Sequence, residues 1–95
     1  MNDVEARMAA LRRRFADSAD QHSIALRAAF QIDDRDRVSE IAHHLAGAAG
    51  IFGQPVLGNC GAQLEQAIDA GADGVALEAF VDAVLAALNQ MARSR

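Results

Sequence analysis

Several residue types are scarce in this chain, and each scarcity excludes a class of structure. The single cysteine, Cys60, excludes an internal disulfide and any metal site built from several cysteines. The single proline, Pro55, and the lack of a useful strand alternation indicate a series of helices. No apolar run reaches transmembrane length, and the N-terminus lacks a charged-then-apolar secretory pattern. We therefore expect a soluble, cytoplasmic protein with no membrane partner.

Length and charge narrow the possibilities further. With 95 residues, 52% of them apolar, the chain can pack one core, so residues 1–95 are expected to form a single domain. The net charge of −4 argues against nucleic acid as a partner. The one basic cluster, Arg12-Arg13-Arg14, diverges around a helix and is more typical of a solvated surface than of a binding patch.

Start and stop signals divide the chain into five helices. Asn2 with Glu5, and Ser18 with Gln21, resemble capping boxes. The predicted starts are, in chain order, Asn2, Ser18, Asp33 or Asp34, Pro55 and Asp73. The first four helices are predicted to end near Asp17, Ile32, Gly53 and Gly71.

Apolar residues recur at helical spacing in four of these segments, whereas the second segment is too evenly apolar to assign one buried face. The stripes are, in the first helix, Val4, Met8, Leu11 and Phe15; in the third, Val38, Ile41, Leu45, Ala48, Ala49 and Phe52; in the fourth, Val56, Leu57, Cys60, Leu64, Ala67 and Ile68; and in the fifth, Leu77, Phe80, Val81, Val84, Leu85, Leu88 and Met91. Short loops between such helices predict an all-α fold, an antiparallel four-helix bundle with an additional N-terminal helix.

One histidine stands out on the third helix. His43 lies opposite the apolar stripe, and Ser39, Ala46, Gly47 and Gly50 surround it on the predicted solvent side. A glycine inside a helix costs about 1 kcal/mol relative to alanine. Two glycines beside an exposed imidazole therefore indicate that the ring must be accessible to a large partner.

The same segment resembles the histidine-containing phosphotransfer (HPt) domain family. The family pattern, roughly His-x-Leu-Lys-Gly, is similar to His43-His44-Leu45-Ala46-Gly47. A further similarity is the fourth-helix pattern from Cys60 through Leu64-Glu65, so the resemblance covers essentially the whole chain. Leu45 at +2 and Gly47 at +4 assign the family's phosphorylated histidine to His43. Its position opposite the stripe independently favours the same residue.

The resemblance implies a function and its partners. His43 would accept a phosphoryl group from a receiver-domain aspartate or a kinase, and pass it to a response-regulator aspartate. Receiver domains and a sensor histidine kinase, often a hybrid, are the implied partners. The receiver supplies an aspartate, a lysine and Mg²⁺, so we expect no cofactor or metal of the chain's own, and a monomer. The predicted docking surface, completed by the exposed face of the second helix, is Asp36, Ser39, Glu40, His44, Ala46, Gly47 and Gly50.

One departure keeps an alternative open. The family usually has lysine where this chain has Ala46, and neither Arg35 nor Arg37 is an obvious substitute. A phosphate-incompetent adaptor that binds a receiver or a kinase is therefore the second hypothesis. A third, the dimerisation and phosphoacceptor part of a sensor kinase, ranks last because its usual His-Glu and nearby proline are missing.

The other histidines receive simpler interpretations. His44 is expected to pack against a neighbouring helix, and His22 to be an ordinary surface residue. Adjacent histidines on a helix point about 100° apart, so metal binding by His43 and His44 is improbable. Glu65 is expected to have a structural role.

Overall fold

The computed structural model describes residues 3–94, which form five helices and no strand. The helices are α1 (Asp3–Asp17), α2 (Ala19–Gln31), α3 (Arg35–Ile51), α4 (Pro55–Asp69) and α5 (Gly74–Arg93). The all-α prediction is confirmed, and the helix ends lie within about two residues of the predicted ones. The predicted start at Asn2 lies outside the described residues.

Helices α2 to α5 pack as a closed ring. α3 contacts α2 and α4, and α5 completes the ring by contacting α4 and α2. Three or four residues separate consecutive helices of this ring, and such short connections make neighbouring helices run antiparallel. This arrangement places α3 between α2 and α4, so residues of both neighbours flank its outer face.

The predicted stripes supply most of the core. Six leucines are at most 2% exposed: Leu26, Leu45, Leu57, Leu64, Leu77 and Leu88. Cys60 and the stripe residues Ala48, Phe52, Ala67, Ile68, Phe80 and Leu85 are partly buried against this core. The prediction for Val56 is wrong: its side chain is 67% exposed. Val56 follows Pro55 in the first turn of α4, one position before the buried Leu57 and on a different side of the helix.

Helix α5 is the most apolar helix of the ring. By length and composition alone it could cross a membrane. Its buried residues, however, are apolar side chains of the bundle core, including Val81, Val84 and Leu88. Because core helices of soluble proteins pass the same test, the finding is weak evidence for a membrane span.

Two of the predicted caps are confirmed and one is wrong. The side chain of Asp34 accepts a hydrogen bond from the backbone N–H of Arg37, and that of Asp73 accepts one from Ala76. Ser18 makes no side-chain cap. Its hydroxyl instead donates to the carbonyl oxygen of Phe15 at 2.6 Å.

The backbone at Ser18 explains why it does not cap. Ser18 has right-handed helical dihedral angles, φ −81° and ψ −3°, and it alone separates α1 from α2. The two helices therefore do not fold back on each other as the other pairs do. The long axis of the molecule is 49 Å, whereas the 20 residues of α5 account for about 30 Å. The N-terminal part of α1 thus extends beyond the end of the ring.

Glycines on α4 let α3 and α4 approach closely. A Cβ atom placed on Gly61 would lie 3.0 Å from the carbonyl oxygen of Ala42 and 3.3 Å from the Cβ of Ala46. A Cβ on Gly58 would make ordinary contacts, 3.6 Å from the Cβ of Ala49. Gly61 is therefore the point at which side-chain volume limits the α3–α4 distance.

We predict that Gly61→Leu destabilises the bundle by about 2 kcal/mol or more, because the added side chain has no space against α3. Gly58→Ala is the matched control, and it should stabilise the protein by up to about 1 kcal/mol through helix propensity. Urea unfolding followed by circular dichroism measures both changes. A Gly61→Leu protein as stable as wild type would contradict the close contact.

Candidate functional site

His43 projects from the middle of α3 into solvent. Its side chain is 77% exposed, whereas Ala42 and Leu45 on the same helix are fully buried. The ring is nevertheless held on one side: Nδ1 lies 3.0 Å from Oε2 of Glu65 and 3.3 Å from Oε1. Glu65 belongs to α4, and its side chain is 30% exposed. One nitrogen of the imidazole is therefore engaged and the other is open.

The contact with Glu65 selects a tautomer. An ionised carboxylate only accepts hydrogen bonds, so the Nδ1–H of His43 donates to Glu65. In the neutral ring the lone pair then lies on Nε2. An exposed imidazole held in this form presents a nucleophilic nitrogen in a fixed direction.

Glu65 was not predicted as a site residue. Only a structural role was expected for Glu65, although the Leu64-Glu65 pair was part of the family resemblance. Leu64 is fully buried, and the next position along α4 therefore lies at the edge of the core, within reach of α3. Its position after a buried leucine on the neighbouring helix was the available signal.

Of the four residues predicted on the solvent side around His43, Gly47 and Gly50 are exposed, whereas Ser39 and Ala46 are half-buried. A Cβ atom on Gly47 or Gly50 would meet nothing within 4 Å, so neither glycine serves helix packing. Asp36 and Glu40 are exposed. Ser39, one turn before His43, is half-buried.

Ala46 differs from its prediction. It is half-buried rather than on the open side, because its Cβ faces Gly61 across the α3–α4 contact. The residue that replaces the family lysine thus contributes to helix packing beside the candidate site.

Among the described residues, the two arginines of α3 are paired with groups other than His43. The chain contains no lysine at all, and its arginines near this helix are engaged elsewhere. Arg35 donates to Asp33 and to the backbone carbonyl oxygen of Ala72. Arg37 pairs with Glu40, one turn along the helix.

His44 and His22 face each other beside the site. Their ring centroids lie 5.9 Å apart, and the ring of His22 lies 6.3 Å from that of Phe15. His44 was expected to pack against a neighbouring helix; its side chain is exposed, although its ring contacts that of His22 on α2. His22 is half-buried, so its interpretation as an ordinary surface residue is wrong. Among residues 3–94, no group of three or more metal-ligating side chains is placed to hold a metal ion.

The fold and the exposed ring together define an all-α bundle that presents one oriented histidine to solvent. Comparison with protein-family models identifies the Hpt domain over residues 10–94. The chain therefore belongs to the Hpt domain family, which implies histidine phosphotransfer in two-component signalling. No curated protein and no solved structure matched the chain significantly.

We predict that His22 makes the stability of the protein depend on pH. Burial lowers the pKa of His22 below its usual value of 6.5, and the neighbouring His44 lowers this pKa further. As the pH falls through 6.5 toward the lower pKa of the folded state, the unfolded chain binds more protons than the folded one. The folded state is therefore most stable, with respect to His22, above pH 6.5, and it loses stability as the pH falls from 6.5 to the lower pKa of the folded state.

Urea unfolding of wild type and His22→Gln between pH 8 and pH 5 tests this expectation. Between pH 8 and pH 5, the free energy of unfolding should fall less in the variant than in wild type. Identical pH dependence in the two proteins would contradict the role of His22.

Proposed function

We propose that this chain is a histidine phosphotransfer protein of a multistep phosphorelay, with His43 as its phosphoacceptor. The observation that supports the proposal best is the exposed His43 ring, with Nδ1 held by Glu65 and Nε2 directed to solvent. A receiver-domain aspartate or a kinase would supply the phosphoryl group, and a response-regulator aspartate would receive it. The protein would work in the cytoplasm as a monomer.

The transfer step requires little from the chain itself. The lone pair of His43 Nε2 attacks the phosphorus of an aspartyl phosphate, the N–P bond forms, and the P–O bond breaks with its electron pair leaving on the aspartate. Passage to the next aspartate reverses these bonds. Such transfers depend mainly on in-line positioning and on stabilisation of charge around the phosphoryl oxygens. The partner receiver domain, with its bound Mg²⁺, would supply that stabilisation.

Glu65 would act as a positioning residue. It fixes the His43 ring and keeps the proton on Nδ1, which leaves Nε2 free as the nucleophile. In phosphorylated His43 the same hydrogen bond would stabilise the proton on Nδ1. A protonated imidazole is a better leaving group than a neutral one, so the contact would assist both directions of transfer.

The docking surface would combine α3 with the outer face of α2. Around His43, the exposed glycines Gly47 and Gly50 leave room for a partner backbone. On α2, Ile24 is 66% exposed and Ala28, one turn later, is also exposed. A small apolar centre with the polar Asp36 and Glu40 at its margin is typical of transient interfaces. Helices α2 to α5 would form the phosphotransfer bundle, with α1 as an additional N-terminal helix.

A specific observation favours the second candidate, an adaptor that binds a receiver without transfer. Ala46 is packed toward Gly61, and no lysine or free arginine of α3 stands near His43 to hold a phosphoryl group. Transfer then relies entirely on cations of the partner. The two candidates share one surface and differ only in whether the His43 nitrogen reacts.

We predict that His43→Gln abolishes phosphoryl transfer, because Nε2 is the attacking atom. Phosphorylated receiver domains are incubated with the protein and Mg²⁺, and acid-labile, base-stable phosphate on the chain is measured. His22→Gln is the matched control, a histidine of α2 outside the predicted docking surface, and it should still be labelled. Helicity and melting of His43→Gln should stay close to wild type, since the side chain is 77% exposed.

Three outcomes separate the candidates. Label on wild type but not on His43→Gln supports the phosphotransfer protein. Receiver binding by wild type without label supports the adaptor. Undiminished label on His43→Gln would contradict the assignment of His43.

We predict that Glu65→Ala slows labelling of the protein about tenfold. A hydrogen bond to a charged group contributes about 1.5–3 kcal/mol, and only part of this energy is expected to stabilise the transition state. Glu65→Gln keeps an acceptor oxygen and should lie between Glu65→Ala and wild type. Glu78→Ala, which removes an exposed carboxylate from α5, is the control for net charge. The pH dependence of the rate should change for the Glu65 variants alone. Equal rates for Glu65→Ala and Glu78→Ala would contradict the positioning role.

A further inference from the structure

Helix α1 carries an apolar stripe that is largely uncovered by residues 3–94 except at its C-terminal end. Val4 is 66% exposed and Leu11 41% exposed, and Met8 between them is half-buried but is not among the side chains packed on the core. The next residue of the stripe, Phe15, is 8% exposed, and its ring lies 5.3 Å from that of Phe52. The exposed stripe therefore continues the core of the bundle outward along the projecting helix.

The spacing of the stripe fits a second helix. Val4, Met8, Leu11 and Phe15 are separated by four, three and four residues, which is the repeat of a coiled-coil seam. Such a seam is narrow and accepts one helix alongside it. Helices that lie on lipid bury a wider apolar face than this narrow seam provides.

The borders of the seam are strongly basic. By helical position, Arg7 and Arg14 lie along one side of the seam and Arg12 along the other. Arg7, Arg14 and Leu11 line a shallow groove of about 250 Å³. None of these three arginines makes an ion pair with another residue in the range 3–94.

This charge pattern disfavours a second copy of the chain. In a parallel pair the flanking positions bring Arg7 of one copy to Arg12 of the other, and in an antiparallel pair they bring Arg7 to Arg14. Glu5 lies on the same side of the seam as Arg12 and is the acidic group that a second copy could offer to an arginine. However, Glu5 already has an interaction within the chain. A helix with acidic flanks would instead offer a carboxylate to each of the three arginines.

We propose that α1 is a docking surface for an amphipathic helix of a partner protein, with an apolar seam flanked by Asp or Glu. The apolar seam would supply most of the affinity, and the arginines would select the acidic partner. This surface lies on the helix that projects from the ring, whereas His43 lies midway along α3. Docking there does not depend on the phosphotransfer proposal.

The experiment uses two synthetic helical peptides as probes. Both have leucine at the two seam positions of every heptad, and the flanking positions are glutamate in one and lysine in the other. Fluorescence anisotropy with the full chain should show binding of the glutamate peptide and at least about tenfold weaker binding of the lysine peptide. The preference should weaken as salt concentration rises.

Variants of α1 test whether the contact uses the proposed residues. Leu11→Gln should weaken binding of the glutamate peptide about tenfold, because a buried leucine is lost from the seam. Val75→Gln is the matched control, since Val75 is 83% exposed on α5. The double variant Arg7→Glu and Arg14→Glu should bind the lysine peptide more tightly than the glutamate peptide. Circular dichroism checks that each variant keeps its helices.

Several results would overturn the proposal. Binding of neither peptide, or equal binding of both, would rule out a partner helix that is selected by its acidic flanks. A wild-type dimer in sedimentation that becomes monomeric in Leu11→Gln would assign the seam to a second copy. Binding to phosphatidylglycerol vesicles without binding to the glutamate peptide would assign it to a membrane surface. Because none of these readouts involves phosphate, their failure is distinct from failure of His43 labelling.

Discussion

The close approach of α3 and α4 is the constraint on which the candidate site depends. Gly61 removes a side chain at the point where the backbone of Ala42 would otherwise be touched, and Ala46 packs into the same space. This contact brings the carboxylate of Glu65 to 3.0 Å from the His43 ring across two helices. A wider separation would leave the imidazole as an ordinary mobile surface side chain. The small residues at the contact between α3 and α4 therefore determine the orientation of the exposed His43 ring.

Much of the fold could be predicted because its signals are local. Helical spacing of apolar residues, and carboxylates such as Asp34 and Asp73 at helix starts, act within a few residues. The predictions were wrong where one local sequence pattern was compatible with two different structures. Ser18 matches a capping box, yet its backbone stays helical and its hydroxyl bonds to Phe15 instead. Val56 has helical spacing with the stripe, but the first turn of α4 leaves it in solvent.

The site was predictable only in part, for the same physical reason. The exposure of His43 could be predicted because it follows from the position of His43 on its own helix, opposite Val38 and Leu45. The partner of its ring comes from α4, and the partner of His22 comes from α3. Contacts between helices depend on axial register and on separation, and neither quantity is encoded by one segment alone. The half-burial of His22 is a consequence of that packing rather than of its neighbours in sequence.

The charges around His43 bear on what kind of phosphocarrier the chain would be. A phosphoryl group on Nε2 would add negative charge to a helix face that already carries Asp36 and Glu40, with Glu65 on the other side of the ring. The two arginines of α3 form ion pairs with other residues: Arg35 with Asp33 and Arg37 with Glu40. No favourable charge within α3 would then stabilise the phosphorylated state, while Glu65 would keep the leaving group protonated. If His43 is the phosphoacceptor, such a site would favour passing the phosphoryl group to a cation-rich partner over storing it, and the receiver would decide the equilibrium.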